Sequence, residues 1–184
     1  MVVDSVKFSG PLLTVPAHDR FFRPAMLKDL GAINALYNDY ILNSAATFDL
    51  EPISLPDKTR WFDQFNEGGR SQLWVAFENT NLVGFATSQP FRPKAGYRNT
   101  VETSIYVAPD AVGQGHGTKL YRHLFLALDA TPVKQAIAIV TRPNPASVKL
   151  HEQLGFQTVG ELTDVGEKFG VPQSVYIMQR TKAE

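Results

Sequence analysis

The sequence contains no cysteine and carries no net charge, because its 184 residues include 18 basic and 18 acidic ones. Without cysteine the chain can form neither a disulfide, a thiolate metal site nor a covalent cysteine intermediate. The balanced charge offers no electrostatic attraction to nucleic acid or to an anionic membrane surface, so neither is expected as a partner. The absence of cysteine fits a reducing compartment, and we expect a cytoplasmic location.

Long apolar runs and metal-ligand clusters are missing as well. No apolar run approaches the roughly 18 residues that span a bilayer, and residues 1–18 lack the apolar segment of a secretory signal. No three histidines or carboxylates show metal-ligand spacing, so no metal is expected. With 43% apolar and 20% charged residues, the chain has an ordinary globular composition. We expect an irregular arm over 1–19, as a tail or an extra strand, and one domain over 20–184.

Hydrophobic periodicity predicts an alternation of strands and helices along this domain. Strands are predicted over 20–24, 73–77, 82–86, 100–107, 135–140, 156–162 and 175–179, and helices over 27–42, 55–66, 115–129 and 145–153. This order predicts a mixed α/β fold. Because a helix joins strands 100–107 and 135–140, these two strands should run parallel.

The most informative segment is a glycine-rich turn between a predicted strand and a predicted helix. It consists of Gly113, Gln114, Gly115, His116, Gly117 and Thr118. Glycine permits positive φ and a close approach to a ligand, and the first N–H groups of a helix attract an anion. The spacing matches neither G-x-G-x-x-G nor the Walker loop, in which lysine precedes the hydroxyl residue. A phosphate cradle of another type is the interpretation, and a turn that only caps the helix is the alternative.

This turn resembles the coenzyme loop of the GCN5-related N-acetyltransferases (GNAT), whose signature Q/R-x-x-G-x-G/A binds the pyrophosphate of acetyl-CoA. Gly115 and Gly117 match its glycines, whereas Val112 stands where the family usually has Arg or Gln. Residues 144–156 (NPASVKLHEQLGF) are similar to the later family segment N-x-x-S…L-[YH]-x-x-x-G-F. In physical terms Asn144 is a predicted helix N-cap and Gly155 a predicted C-cap.

Within this superfamily, several segments resemble the phosphinothricin/methionine sulfoximine acetyltransferase branch. They are 37–41 (YNDYI), 46–48 (ATF), 91–93 (FRP), 97–102 (YRNTVE) and 165–170 (VGEKFG). The resemblance covers about residues 20–180. It departs at Glu167, where a basic or polar residue is usual, at 171–173, where VPQ replaces Arg-Trp-Leu, and at Ser174, which replaces Asp. These changes fall in a segment that shapes the substrate end.

The resemblance implies a GNAT fold, with a twisted mixed sheet of about six to seven strands, about four flanking helices and splayed central parallel strands. It implies acetyl-CoA as co-substrate, a small-molecule amine as acceptor and a homodimer. Coenzyme contacts are implied for Ile105, Tyr106, Val107, the glycine turn and Asn144, and acceptor contacts for Phe48, Arg92, Gly96 and Tyr97. Packing in the core is an alternative role for Tyr106.

Two titratable residues are candidates for the chemistry of acetyl transfer, which needs a neutral amine and a stabilised leaving thiolate. Glu102 interrupts an apolar or small run on the central strand, where partial burial would raise its pKa and make it a base. A structural ion pair with Arg92 or Arg98 is the alternative. His151 stands where much of the superfamily has a tyrosine acting as acid, and imidazole can donate the same proton. A helix histidine that faces solvent or fills space is the alternative.

Arg92 and Arg98 bear on the acceptor, because guanidinium groups suit a carboxylate or phosphinate. Two solvated surface arginines are the alternative. The sequence thus predicts an acetyl-CoA-dependent N-acetyltransferase for the α-amine of a small amino acid or analogue, such as phosphinothricin or methionine sulfoximine. One alternative is another acceptor, namely a polyamine, an aminoglycoside or a protein N-terminus. The other is a non-catalytic acyl-CoA-binding module.

Overall fold

A single mixed sheet of seven strands organises the computed structural model, which describes residues 20–182. The predicted arm over 1–19 lies outside the described residues. The strands are β1 (Arg20–Pro24), β2 (Gln72–Glu78), β3 (Asn81–Pro90), β4 (Thr100–Val107), β5 (Gln135–Thr141), β6 (Gln157–Lys168) and β7 (Val171–Thr181). The α-helices of the described residues are α1 (Leu30–Asn43), α2 (Leu55–Phe62), α3 (His116–Asp129) and α4 (Pro145–Gln153). The order across the sheet is β1-β2-β3-β4-β5-β7-β6.

The central strands β4 and β5 are parallel, and their pairing stops after a short stretch. Residues 100–102 pair with 135–137, and the last pair joins Glu102 to Ile137. The other neighbouring strands run antiparallel. Backbone groups beyond the last pair on these two strands therefore remain available to a ligand. The predicted mixed α/β fold, the parallel central pair and their splay are confirmed.

Two hydrophobic clusters pack the helices on opposite faces of the sheet. On one face, Leu30 and Ile33 of α1 pack against Leu73, Val75 and Phe85 of β2 and β3. The other face is covered by α3, whose buried side chains meet those of β4, β5 and β7; they include Leu120, Tyr121, Leu124, Phe125, Val101, Ala138 and Met178. The alternation of side chains along each strand feeds both clusters. Among the described residues, no helix is long and apolar enough to cross a membrane.

Three predicted boundaries were wrong: the end of helix 55–66, the end of strand 156–162 and the start of strand 175–179. Helix 55–66 ends at Phe62, because the Phe65 N–H bonds back to Phe62 O at 3.0 Å and the Asn66 N–H bonds to Ser71 O at 3.0 Å. Strands 156–162 and 175–179 extend into a hairpin of 12 and 11 residues. The hairpin closes at Phe169 and Gly170, whose positive φ angles of 55° and 71° fit a tight primed turn.

Smaller differences affect the starts of two helices. The predicted helix 27–42 begins with a short 3-10 turn, Leu27–Asp29, before α1. The predicted helix 115–129 begins at His116, because Gly115 has a φ of 80° and acts as its N-cap. The remaining predicted elements agree with the structure to within a few residues at each end.

Candidate functional site

A cleft of about 540 Å³ opens where β4 and β5 separate. Its walls are the ends of these two strands, the first turn of α3 and one face of α4. Most residues predicted for the coenzyme line it, together with one candidate catalytic residue: Ile105, Tyr106, Val107, Gly113, Gly115, His116, Gly117, Thr118, Asn144 and His151. The structure thus brings together segments that are far apart in the sequence.

The glycine turn places the start of α3 at the mouth of this cleft. Gly113 and Gly115 adopt φ angles of 81° and 80°, a region that side chains disfavour. The first intrahelical bond runs from Lys119 N to Gly115 O at 3.2 Å. The preceding N–H groups, from His116 to Thr118, therefore have no partner within the helix. Together with the positive end of the helix dipole, they form a site that can hold a phosphate group.

The side chains of His116 and Gln114 take different directions from this turn: His116 lines the cleft and Gln114 does not. The Gln114 amide donates to Asp110 O at 2.8 Å, and its side chain does not line the cleft. The His116 ring is buried, and its Nε2 has no hydrogen-bond partner among the described residues. Burial lowers the pKa of His116, and the charge of Arg20 acts in the same direction. The neutral imidazole is therefore favoured at this position.

Asn144 begins α4 as predicted from the sequence. Its Oδ1 accepts a hydrogen bond from the Ser147 N–H at 3.0 Å, which satisfies one donor of the first helical turn. The cap lies at the end of β5, so the side chain of Asn144 is fixed at the rim of the cleft.

His151 is only 3% exposed, and both of its ring nitrogens make polar contacts. Its Nδ1–H donates to Ser147 O at 2.8 Å, and its Nε2 faces the Tyr121 hydroxyl at 3.3 Å. Since Nδ1 carries the proton, Nε2 of the neutral ring accepts from Tyr121. Burial lowers the pKa of His151, which favours this neutral form. The ring also lies edge-on to Phe156, with centroids 4.9 Å apart, so it is packed rather than solvent-facing.

Glu102 is half-buried at the point where β4 and β5 stop pairing. Burial raises the pKa of its carboxyl group, and the charge of Arg92 opposes that shift. Alternation along β4 places Glu102 on the same face as Ser104 and Tyr106, both of which line the cleft. Glu102 itself is not part of the lining; it lies at the last β4–β5 pair, next to Thr103, which lines the cleft.

The predicted acceptor residues lie outside the lining of the cleft. Arg92 stacks over the Phe91 ring at 5.0 Å, and this ring contacts Tyr97 edge-on, with centroids 5.7 Å apart. Gly96 and Tyr97 belong to a short 3-10 helix, Ala95–Tyr97, that precedes β4. Arg92 is close enough to Glu102 to influence its pKa.

Phe48, the fourth predicted acceptor residue, comes from the connection between α1 and α2. Its ring rests against Gly166 of β6. The neighbouring Ala46 lines the cleft, as does Tyr106 of β4. This connection therefore approaches the same end of the cleft from the side of α1.

Sequence reasoning did not single out several residues of the site. Tyr40 lines the cleft and donates to Val107 O at 2.8 Å, and Tyr121 lines it as the partner of His151. Both tyrosines occur at helical spacing among apolar residues, a pattern equally typical of core positions. Tyr106 lines the cleft and also stacks on Phe85, with ring centroids 4.9 Å apart, a position compatible with both predicted roles.

Lys58 of α2 is a buried lysine held between two aromatic rings. It is 2% exposed, and its Nζ lies 4.0 Å from the centroid of Tyr37 and 4.2 Å from that of Trp61. Burial lowers the pKa of Lys58 from 10.5 to about 8, while the charge of Asp49 opposes the shift. The rings favour the cation as well, but they do not replace the water that an ammonium group loses.

Replacing Lys58 with methionine is expected to stabilise the protein at pH 7 by about 1 kcal/mol, because the charge is removed and the packing length is retained. Between pH 8 and 10.5 the unfolded chain binds the proton that the folded lysine has lost, so wild-type stability rises with pH in this window. The gain from Lys58→Met should therefore shrink toward pH 10. Urea denaturation of both proteins at pH 7 and pH 10 measures it, with the exposed Lys28→Met as control. A pH-independent gain would contradict a buried charge.

Comparisons with known proteins agree with this geometry. The model of the acetyltransferase (GNAT) family matches residues 34–156. A phosphinothricin N-acetyltransferase of Streptomyces coelicolor is 42% identical over 150 residues, which cover 80% of this chain and 88% of that protein. An L-methionine sulfoximine/L-methionine sulfone acetyltransferase of Pseudomonas paraeruginosa is 35% identical over 148 residues, which cover 80% and 86%.

A solved structure shares the architecture. It is a GNAT superfamily phosphinothricin acetyltransferase from Sinorhizobium meliloti in complex with AcCoA, with a TM-score of 0.83 and 32% identity. The match covers 88% of each chain. The similarity thus covers far more of the chain than the glycine turn.

Proposed function

Because this chain belongs to the GNAT acetyltransferase family, we propose that it transfers the acetyl group of acetyl-CoA to the α-amine of a small amino acid or amino-acid analogue. It is an N-acetyltransferase, with acetyl-CoA as co-substrate. Phosphinothricin and methionine sulfoximine are the leading acceptors, since relatives are named for acetylating them. The observation that carries the proposal is the cleft between β4 and β5, whose lining combines the N-terminus of α3 with the parts of both strands beyond their last pair, Glu102 and Ile137.

The two ends of the cleft suit the two ends of the coenzyme. The N–H groups from His116 to Thr118 would bind the diphosphate, since they lack intrahelical partners. The pantetheine arm would extend along Ile105 and Val107, where β4 no longer pairs with β5, and would reach Asn144 at the rim. In this placement the thioester lies near Glu102.

Glu102 is the proposed base. The attacking amine must be neutral, because an ammonium group has no lone pair, and it must lie close to the thioester carbonyl. A carboxylate with a raised pKa accepts the proton more readily, either directly or through one water molecule. Arg92, whose charge acts on Glu102, would bind the carboxylate of the acceptor and so orient its amine.

His151 is the proposed acid for the leaving thiolate. Its Nδ1–H is committed to Ser147 O, so the proton must be transferred from Nε2, the side that faces Tyr121. The neutral ring that burial favours has no proton on Nε2, which accepts from the Tyr121 hydroxyl. His151 would act as the acid only after it has taken up a second proton, because Nε2 becomes a donor only in the imidazolium. Both rings line the cleft, and this supports a proton path at the sulfur end.

Thiol release from acetyl-CoA, measured across a panel of amines, tests the proposed function. Phosphinothricin, L-methionine sulfoximine and the common amino acids should be acetylated well above a polyamine, an aminoglycoside and a peptide N-terminus. The guanidinium of Arg92 would repel a cationic acceptor, and this favours the first group. If only the polyamine, the aminoglycoside or the peptide N-terminus were acetylated, the proposed amino-acid acceptor would be wrong. Coenzyme binding without turnover of any amine would favour a non-catalytic acyl-CoA-binding module.

We also propose a homodimer. Support comes from the β6–β7 hairpin, which exposes a set of apolar side chains: Val159, Leu162, Val165, Phe169 and Val171. Exposed apolar surface of this kind is typical of protein interfaces. Sedimentation equilibrium should give twice the mass of the 20.4 kDa chain, and a monomer at micromolar concentration would contradict the proposal.

A further inference from the structure

Lys168, at the end of β6, is a buried charged residue that reaches another part of the chain. It is 2% exposed, and its Nζ donates to the main-chain carbonyl of Thr47 at 2.7 Å. The two residues are 121 positions apart in the sequence. Burial of an ammonium group is costly unless its donors have hydrogen-bond partners, so the bond to Thr47 O offsets part of the cost of burying Lys168. It fastens the β6–β7 hairpin to the connection between α1 and α2.

A second contact joins the same two segments. Gly166 and Lys168 are two positions apart on β6 and so project to the same face. A Cβ atom on Gly166 would lie 2.4 Å from Cε2 of Phe48, which is too close for any side chain. The Phe48 ring therefore rests directly on the main chain of Gly166.

The connection is also held from the side of α1. The Tyr37 hydroxyl donates to Asp49 Oδ2 at 2.7 Å and hydrogen-bonds to Thr47 Oγ1 at 2.9 Å. The carboxylate of Asp49 favours the charged form of Lys168, whereas burial lowers the pKa of Lys168. Tyr37 and Lys168 thus fix Thr47 and Asp49 from opposite sides, and Phe48 lies between them in the sequence.

The fixed connection borders the acceptor end of the cleft. Ala46, next to Thr47, lines the cleft, and so does Tyr106. The Tyr106 ring contacts Tyr37 edge-on, with centroids 5.1 Å apart. A displacement of Thr47 and Phe48 would therefore change the shape of the cleft beside Ala46 and Tyr106, which is the space that we assign to the acceptor.

We propose that Lys168 is a positioning residue for the acceptor: its bond to Thr47 O seats the Phe48 ring on Gly166, and this ring limits the size of the side chain that the acceptor can carry. The inference rests on the proposed function and adds a determinant of acceptor size to it. Lys168, Gly166 and Phe48 are not among the residues that line the cleft proposed for the coenzyme, so we expect the affinity for acetyl-CoA to change little.

Lys168→Met tests the proposal, since methionine keeps the apolar stem and lacks the donor. The KM for the acceptor should rise about tenfold, as expected for a lost charge-assisted hydrogen bond, whereas kcat and the Kd for acetyl-CoA should change little. Amide hydrogen exchange of residues 46–49 should become faster. Lys168→Arg, which keeps a donor, should restore most of the acceptor affinity. The exposed Lys134→Met serves as control.

A second set of variants separates the ring from the lysine. Phe48→Ala should improve kcat/KM for bulkier amino acids relative to small ones. Gly166→Ala should raise the acceptor KM when Phe48 is present and have little effect in the Phe48→Ala background. The inference would be overturned if Lys168→Met left both the acceptor KM and the amide hydrogen exchange of residues 46–49 unchanged. It would also be overturned if this variant weakened the binding of acetyl-CoA as much as that of the acceptor. Wild-type protein that acetylates no amine would instead overturn the proposed function, and the inference with it.

Discussion

Glu102→Gln is expected to lower kcat/KM for the acceptor by about 10²–10⁴, the usual contribution of a positioned general base. Glutamine has nearly the same shape but accepts no proton, so binding of acetyl-CoA should be retained. The change also removes a half-buried carboxylate whose pKa is raised by burial, and folding should therefore not suffer. Steady-state kinetics and calorimetry with acetyl-CoA measure the two effects separately.

The pH dependence gives the same substitution a second readout. In the wild type, kcat/KM should fall as the pH falls through the raised pKa of Glu102, because the protonated carboxyl group is not a base. This limb should be absent from the Glu102→Gln profile. Glu152→Gln, on the exposed side of α4, is the matched control and should leave the profile unchanged. A Glu102→Gln enzyme with wild-type turnover would refute the assignment of the base.

Thr118→Asp is expected to weaken acetyl-CoA binding by at least about 100-fold. Two negative charges about 4 Å apart near a protein surface repel by about 4 kcal/mol, and about 1.4 kcal/mol corresponds to a tenfold change in affinity. Thr118 is the third residue of α3 and lines the cleft, so an aspartate there would face the diphosphate. Calorimetric titration with acetyl-CoA measures the loss.

The same substitution should affect stability in the opposite direction. A carboxylate in the first turn of a helix interacts favourably with the helix dipole, by about 0.3–1 kcal/mol. Thr118→Asp should therefore unfold at an equal or higher urea concentration than the wild type while losing coenzyme affinity. Thr118→Asn, which is uncharged, should retain most of the affinity. Equal coenzyme binding by Thr118→Asp and wild type would show that the diphosphate does not bind at this helix end.

The glycine turn before α3 and the N-cap of α4 were predictable because their signals are local. Gly113 and Gly115 adopt the positive φ angles that only glycine tolerates well, and Asn144 caps the helix that follows it. Each of these depends on a few consecutive residues, so a single segment of sequence reveals it. The order of strands and helices was predictable for a similar reason, since periodicity is a property of one element at a time.

The acceptor end was less predictable because its contacts join distant segments. Nothing near Lys168 in the sequence indicates that its ammonium group reaches Thr47 O, or that Gly166 leaves room for Phe48. Both contacts arise because β6 and β7 extend as far as the turn at Phe169. This extension is hard to predict from sequence, because a mostly exposed strand has only a weak alternation of apolar and polar residues. His151 was a candidate from its position in the helix, but only the packing of α4 on α3 shows that Tyr121 faces its Nε2.

By itself, the sequence determined the mixed α/β fold, the glycine turn that begins α3 and the family of the protein. These follow from periodicity, backbone preference and motif order, which operate over short distances along the chain. Tertiary structure alone decided that the pairing of β4 and β5 ends at Glu102, and how the 44–54 connection meets the hairpin. Burial and contact between distant residues set the pKa of Glu102 and the position of Phe48, and both arise only when the chain is folded.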